Sequence, residues 1–268
     1  MTMHIKKASE KAGKIINAMT GIMPKVRGRS QKKRRLIATV VQSVILYAAP
    51  AWEDALKYKR YVKILRSIER KASICVTSAY RTASTNAVGV LAGYPPYGLL
   101  AWERARNWES RGTCKEGNRQ EIYSRWQERW ARHTGWTSIL IKNVKEWQER
   151  GPATNYYATQ AILGHGAFGS YLKKIKRLAS ETCWYGCEDQ DTPRHTVFEC
   201  RHFAALRQDA QKKIGRELDK NSISEVFLET EDKGREVMNY LTEVMMEKER
   251  EEKRREKHED TNRNVTEQ

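Results

Sequence analysis

The chain has 268 residues, 39% of them hydrophobic and 31% charged, and its 50 lysines and arginines against 33 acidic residues give a net charge of +17. This composition excludes a chain too polar to bury a core, and the length suits one large domain or two small ones. A charge this large favours a polyanionic partner, nucleic acid first and an anionic membrane second.

The positive charge is concentrated in two blocks. Residues 1–36 contain eleven lysines and arginines against one glutamate, and residues 57–71 contain seven against one. Solubility alone does not require such one-sided blocks. The distribution therefore favours contact with phosphate groups.

The first predicted helix begins after the N-cap Ser30 and runs from Gln31 to about Ala48, where Pro50 ends or kinks it. Its first turn carries four consecutive basic residues that we interpret as nucleic-acid contacts. They are Lys32, Lys33, Arg34 and Arg35.

The segment from Leu36 to Trp52 is mostly apolar and follows this basic run. It is 17 residues long and contains four polar or helix-breaking residues, so it is short and polar for a membrane span. We expect a buried helix and no membrane partner.

A second helix shows two distinct faces. Apolar residues recur at spacings of three and four, at Tyr61, Ile64, Leu65, Ile68, Ala72 and Cys75. The basic residues off this stripe are Lys59, Arg60, Lys63, Arg66 and Arg70. A merely solvated face would look similar, but only Glu69 balances these charges, so phosphate contact is an equally good interpretation.

The next segments predict short helices. The turn at residues 80–85 leads into a helix capped near Ser84, and residues 93–96, which include two prolines, break it. Another helix covers residues 97–110, and residues 112–117 form a loop and a candidate domain boundary. Farther on, the aromatic and aliphatic residues at 123, 126, 130, 136, 139, 140, 144 and 147 favour a core over a ligand platform.

The segment at residues 163–169 is rich in glycine but lacks the ending and the preceding strand of a phosphate-binding loop. Gly164 and Gly166 predict a tight turn between helices. His165 in this turn is expected to cap a helix or to pack.

Four metal-ligating residues follow within a short span, in the pattern C-x3-C-x7-H-x4-C. They are Cys183, Cys187, His195 and Cys200. Three thiolates and one imidazole form an ordinary ligand set for structural zinc, and four protein ligands leave no open position for a reactive water. Chance clustering is the alternative. Gly186 gives the loop flexibility, whereas Asp189 and Asp191 are not expected to be ligands.

The residues beside the predicted ligands suit nucleic acid. Trp184 offers a flat aromatic face, and Arg194 and Arg201 offer positive charge, which is a combination that binds bases and phosphates. Cys75 and Cys114 lie outside the cluster and are expected to be free thiols. The odd number of cysteines favours a reducing compartment.

The C-terminal part again predicts helices, over residues 203–214 and around residues 237–245. Residues 247–260 combine six basic with seven acidic residues, which indicates a solvated helical extension that frays into a disordered tail. The expected fold class is therefore mainly α.

Several stretches of the sequence resemble the pol-like second reading frame of insect non-LTR, LINE-type retrotransposons, of the type-1 kind that inserts into ribosomal RNA genes. The resemblance is carried by residues 34–52, 79–85, 92–96, 163–166 and 191–200, and it covers about residues 6–245. The family usually has two residues between the first two cysteines of its CCHC knuckle, whereas this chain has three.

The resemblance implies a helical thumb and connector bundle, then a small zinc knuckle and a long C-terminal helix. We expect a basic thumb-like domain at 1–111, a connector at 112–180, the knuckle at 181–203, helices at 204–246 and a charged, partly disordered tail at 247–268. It also implies an upstream endonuclease and reverse transcriptase, whose Mg²⁺ is bound by paired aspartates. This chain contains no Asp-Asp pair.

We therefore expect a nucleic-acid-binding C-terminal fragment of a reverse transcriptase and endonuclease polyprotein. Its expected partners are RNA and DNA, its cofactor is structural Zn²⁺, and its compartment is the nucleus. A helical protein-interaction scaffold with a structural zinc site is the alternative, because tryptophan and tyrosine also enrich protein interfaces. Nothing in the sequence indicates the recognition helix of a transcription factor.

Overall fold

The computed structural model describes residues 2–26, 28 and 30–266, and over these residues the chain forms helices and no β-strand. The mainly α fold class is therefore confirmed. The chain divides into two compact units, Met1–Tyr156 and Tyr157–Gln268. The finer division into five segments remains a prediction.

The first unit contains nine of the described α-helices and one 3-10 turn, at Glu53–Lys57. The helices are α1 (Thr2–Ile22), α2 (Gln31–Ile45), α3 (Ala49–Trp52), α4 (Lys59–Thr77), α5 (Thr85–Ala92), α6 (Tyr97–Glu109), α7 (Lys115–Ala131), α8 (Trp136–Leu140) and α9 (Val144–Arg150).

Helix α4 organises the first unit, because it packs against α1, α2, α5 and α6. Its apolar stripe faces this core, where Tyr61, Leu65 and Ala72 are buried. Each large apolar side chain buried in this way contributes about 1.5–3 kcal/mol. The helix ends at Thr77, and the following residue Ser78 adopts a left-handed conformation with φ 60°.

Helix α2 begins after Ser30 as predicted, although the Ser30 side chain makes no capping hydrogen bond. The helix ends at Ile45, earlier than the expected Ala48, because Ala48 turns the backbone with φ 50°. Pro50 then lies in the first turn of α3, where its missing N–H costs nothing.

Among the described residues, no single helix has both the length and the apolarity of a membrane span. Only α2 and the following segment Ala49–Lys57 meet those criteria, and they do so together, with a bend of 51° between them.

Most of the predicted apolar pattern of α7 to α9 forms core, although Trp136 is half-buried and Ile139 is exposed. Trp126, Trp130 and Trp147 are buried, and Trp130 Nε1 donates to the Ile141 carbonyl at 2.7 Å. The Asn143 side chain caps α9 by accepting hydrogen bonds from two backbone N–H groups.

The second unit contains α10 (Tyr156–Leu163), whose first residue belongs to the first unit, α11 (Gly169–Lys174), α12 (Ala204–Ile214), α13 (Ile223–Glu229) and α14 (Glu231–Thr266). Helix α14 packs against α12 and α13 through its apolar stripe. Val237, Leu241 and Val244 on this stripe are fully buried.

Helix α14 continues past this core into the charged segment predicted to be a tail. Lys248 is fully buried and Glu251 is nearly so, which differs from the expected solvated extension. The partners of Lys248 lie far away in the sequence, so charge composition alone did not reveal them. Residues 267–268 of the predicted tail lie outside the described residues.

Candidate metal centre

A tight loop in the second unit carries the first two cysteines. Thr182 and Gln190 form an antiparallel bridge, and the Cys183 N–H donates to the Asp189 carbonyl at 2.8 Å. Gly186 turns the chain between the cysteines with φ 75°, a conformation that glycine adopts without strain. The loop thereby folds Cys183 and Cys187 towards the same point.

A single π-helical turn, at His195–Glu199, begins with the third ligand and is followed directly by the fourth, Cys200. The Cys200 N–H donates to the His195 carbonyl at 2.7 Å, which closes the turn across five residues. The x4 spacing between histidine and cysteine therefore matches the geometry of one such turn. Tyr240 of α14 holds the turn in place, because its hydroxyl donates to the Val197 carbonyl at 2.6 Å.

The four side chains converge as the sequence predicted. One ligand atom from each residue lies within 4.8 Å of all the others. The Cys200 sulfur is 3.9 Å from that of Cys183 and 3.6 Å from that of Cys187. Metal–sulfur bonds of about 2.3 Å in a tetrahedron give sulfur–sulfur distances of about 3.8 Å. The cluster is therefore sized for a tetrahedral ion.

The His195 ring provides an independent test of the fit. Both ring nitrogens are buried, and neither has a hydrogen-bond partner within the described part of the chain. The Asp189 carboxylate lies 3.6 Å from Nδ1, outside hydrogen-bond range. Buried imidazole nitrogens without partners are costly unless a metal ion takes a lone pair. The residues present fit a bound metal.

The surroundings of the three thiols shift their pKa values in different directions. Burial raises the pKa of Cys183 and raises that of Cys200 to about 12. Burial also tends to raise the pKa of Cys187, but the Arg201 backbone N–H donates to its sulfur and the net effect lowers the pKa. A divalent cation would favour the thiolates and release their protons. With four protein ligands, such a site is structural rather than catalytic.

A buried ion pair between Lys248 and Asp191, which the sequence did not predict, lies beside the cluster. Lys248 Nζ donates to both carboxylate oxygens of Asp191, at 2.8 and 2.6 Å, and neither side chain is exposed. Asp191 also accepts from the Gly169 N–H and the Thr196 hydroxyl, both at 2.8 Å. Asp191 is therefore not a metal ligand, and it joins the knuckle to α11 and α14.

The three predicted nucleic-acid contacts of the knuckle differ in their exposure and in the groups that they contact. Trp184 is half-buried, with Lys248 Nζ 4.9 Å and the Arg255 guanidinium carbon 5.4 Å from its ring centre. Cations of α14 thus already occupy its ring. Arg194 is exposed and pairs with Glu199 at 3.0 Å, whereas Arg201 is simply exposed.

In the first unit, the predicted basic residues of α4 form one stripe. Lys59, Lys63, Arg66 and Arg70 are spaced by four, three and four residues, so they share the helix face opposite the core. Within the part of the chain that the structure describes, no carboxylate forms an ion pair with any of them. Arg66 and Arg70 contact the start of α5 instead, through Asn86 at 3.1 Å and Thr85 at 2.8 Å.

Helix α4 also carries Arg60 and Glu69, two charged residues that lie outside the stripe. Arg60 lies beside the stripe, with its guanidinium carbon 4.7 Å from the ring centre of Tyr61. Glu69, the one acid of this block, is buried and accepts from the Tyr97 N–H at 3.0 Å. Its carboxylate therefore faces the start of α6; it interacts with the charge of Arg66 but forms no ion pair with the stripe among the described residues.

The basic run of α2 is divided by the fold. Lys32 and Lys33 are exposed, whereas Arg34 is 2% exposed and donates to the carbonyls of Met23, Pro24 and Cys75. Arg35 is half-buried and donates to the Gly93 carbonyl. Arg34 therefore stabilises the first unit from inside, in contrast to its expected place on a phosphate-binding surface.

Comparison with curated proteins gives related sequences of one kind. The chain is 24% identical over 242 residues to the Retrovirus-related Pol polyprotein from type-1 retrotransposable element R1 3 of Nasonia vitripennis, covering 77% of this chain and 62% of that protein. It is 25% identical over 187 residues to the corresponding R1 2 polyprotein, covering 61% of this chain and 45% of that protein.

A 115 kDa protein in the type-1 retrotransposable element R1DM of Drosophila melanogaster is 24% identical over 273 residues, covering 91% of this chain and 26% of that protein. The chain thus spans less than two thirds of the length of these relatives. No protein-family model matches the chain, and no solved structure matches it. The resemblance inferred from the sequence motifs is confirmed: the chain is similar to Pol polyproteins of R1 type-1 retrotransposable elements.

Proposed function

We propose that the chain is a nucleic-acid-binding, C-terminal segment of a retrotransposon reverse transcriptase and endonuclease polyprotein. In this role it holds template RNA or target DNA during target-primed reverse transcription in the nucleus. The catalytic aspartates and their Mg²⁺ belong to other parts of such a polyprotein. The similarity to R1 Pol polyproteins supports the setting of the proposal.

The observation that carries the proposal is the α4 stripe of Lys59, Lys63, Arg66 and Arg70. Their spacing spans eleven residues, or about 16 Å along a helix, without a paired carboxylate among the described residues. Unpaired cations in a row repel one another and gain most from a polyanion laid along them. A partner with regularly spaced phosphates is therefore the ligand that this face fits best.

We further propose zinc as the metal of the Cys183, Cys187, His195 and Cys200 cluster. Three thiolates and one imidazole in tetrahedral reach suit Zn²⁺ better than hard cations such as Mg²⁺. The ion would hold the loop and the π-helical turn together. Within the knuckle, Arg201 is the best-placed phosphate contact, because it is exposed and forms no ion pair in the described part of the chain.

A titration tests the nucleic-acid proposal. The full chain is mixed with a single-stranded RNA and, separately, with duplex DNA, and the affinity is measured at several salt concentrations. We expect the logarithm of the affinity to fall linearly with the logarithm of the salt concentration, by about 0.7–0.9 per phosphate contacted. An affinity independent of salt, or no binding at low salt, would overturn the proposal.

The alternative is a helical scaffold that binds proteins. It is favoured by one observation, an exposed apolar stripe on α2 and the turn that follows it, where Leu36 is 70%, Val40 50% and Tyr47 70% exposed. The two proposals differ in what accompanies the purified chain. Copurifying nucleic acid, seen as a high 260/280 absorbance ratio, supports the first proposal, and a clean chain with a stoichiometric protein partner supports the second.

A further inference from the structure

A cavity of about 840 Å³ lies in the first unit between α1 and α4. This volume is within the range of about 300–1,000 Å³ that is typical of ligand sites. Five basic side chains line it, and none of its lining residues among those described is acidic. They are Lys25, Arg34, Arg70, Lys71 and Arg81.

Two of the five cations are held by uncharged backbone groups. Lys25 Nζ donates to the Ala79 carbonyl at 2.6 Å, and Arg34 donates to three carbonyls beneath the cavity. These contacts fix the positions of the two cations through carbonyl groups, which carry no net charge. Burial, and then the nearby charges of Arg81 and Arg34, lower the pKa of Lys25. The described lining of the cavity therefore concentrates positive charge, which attracts an anion.

Lys71 and Arg81 are exposed, so their side chains are available to such an anion. Arg70 belongs both to this cavity and to the α4 stripe. The two basic features are consequently continuous at Arg70. A nucleic-acid strand that followed the stripe along α4 would stay in contact with basic side chains until it reached the cavity.

We propose that this cavity binds a phosphodiester group of the nucleic-acid strand that lies along α4, with Lys71 and Arg81 as its direct contacts. This inference rests on the proposed nucleic-acid binding and adds a defined end point for the strand. Arginine donates in a planar fork that suits phosphate oxygens, and lysine adds a point charge. Exposed Lys25 and buried Arg34 add to the positive field of the cavity.

Chemical footprinting tests the proposal on the full chain. An amine-reactive reagent modifies lysines with and without a short single-stranded RNA, and parallel samples contain duplex DNA or vesicles with anionic phospholipid. We expect the nucleic acid to protect Lys59 and Lys63 on the stripe and also Lys71 in the cavity. Protection of the stripe without Lys71 would overturn the cavity site and leave the proposed function intact.

No protection of any of these lysines by nucleic acid would overturn both proposals. Protection of Lys71 by the vesicles but not by nucleic acid would likewise overturn the cavity site, because it would assign the cavity to a membrane surface. The three results are distinguishable within one experiment.

A pair of variants supplies the energetic test. Lys71→Gln with Arg81→Gln removes two cavity charges, and Lys115→Gln with Arg132→Gln removes two exposed charges elsewhere in the first unit. We expect the salt slope for nucleic-acid binding to fall by about 0.7–0.9, the value for one phosphate, in the cavity variant and to stay unchanged in the control. Equal slopes in the two variants would contradict the site. Circular dichroism checks that both variants keep their helices.

Discussion

Lys248 and Asp191 form a salt bridge of 2.6 Å in which neither side chain is exposed to solvent. The two residues are 57 positions apart, on α14 and beside the predicted metal ligands. Phe168, Trp184 and Tyr185 surround the ammonium group, with ring centres 4.9–5.7 Å away. A buried charge pair surrounded by aromatic rings thus joins the knuckle to α14 of the second unit.

Removal of this lysine is expected to destabilise the second unit. Lys248→Met leaves the Asp191 carboxylate buried and unpaired, which costs about 3–5 kcal/mol. The matched control is Lys253→Met, because Lys253 is exposed and pairs with Glu249 along the surface of the same helix. Hydrogen exchange of residues 181–203 should accelerate strongly in the first variant and hardly in the second. Similar exchange in the two variants would show that the pair is dispensable.

Loss of a metal ligand should release the metal and unfold its loop. In His195→Ala, the remaining three cysteines no longer close a tetrahedral site, so we expect metal content measured by elemental analysis to fall well below that of the parent. Protection against hydrogen exchange should be lost near residues 180–203 and kept in the first unit. Cys114→Ala is the control, because Cys114 is an exposed thiol outside the cluster. Unchanged metal content in His195→Ala would contradict the assigned ligands.

The buried carboxyl of Glu69 predicts a pH dependence of stability. Burial raises its pKa to about 7, against an ordinary value of 4.5. The folded state therefore binds the proton more tightly than the unfolded state, and this contribution is fully present below pH 4.5 and is lost as the pH rises to about 7. Glu69→Gln should remove this decline, which amounts to roughly 3 kcal/mol at most.

Urea denaturation at several pH values measures this effect. Glu128→Gln is the control, because Glu128 is exposed on α7. An equally steep fall of the free energy of unfolding in Glu69→Gln and in the control between pH 4.5 and about 7 would show that Glu69 does not cause this pH dependence.

Local patterns predicted much of this molecule. The spacing of three and four along α4 predicted both its core face and its basic face, because a helix fixes which residues share a side. The spacing of the cysteines and His195 predicted their convergence for a similar reason, since the x4 gap is one π-helical turn.

The failures of prediction involve contacts between distant residues. Arg34 looked like part of an exposed basic run, but the carbonyls that bind it include that of Cys75, 41 residues away. Lys248 looked solvated because its neighbours in sequence are charged, whereas its partner is Asp191. Charge composition does not show which of several cations turns inward, because that choice depends on tertiary packing.

Nucleic-acid binding is expected to depend most on the α4 stripe, whose cations form no ion pair in the described part of the chain. Its most direct test compares nucleic-acid affinity across salt concentrations for the parent, for Lys59→Gln with Lys63→Gln and Arg66→Gln, and for a control with Lys115→Gln, Arg132→Gln and Lys220→Gln. Each triple variant lowers the net charge from +17 to +14. We predict that the α4 variant loses about three units of salt slope and the control keeps the slope of the parent. Equal slopes in the two variants would mean that total charge, and not the α4 stripe, attracts the nucleic acid.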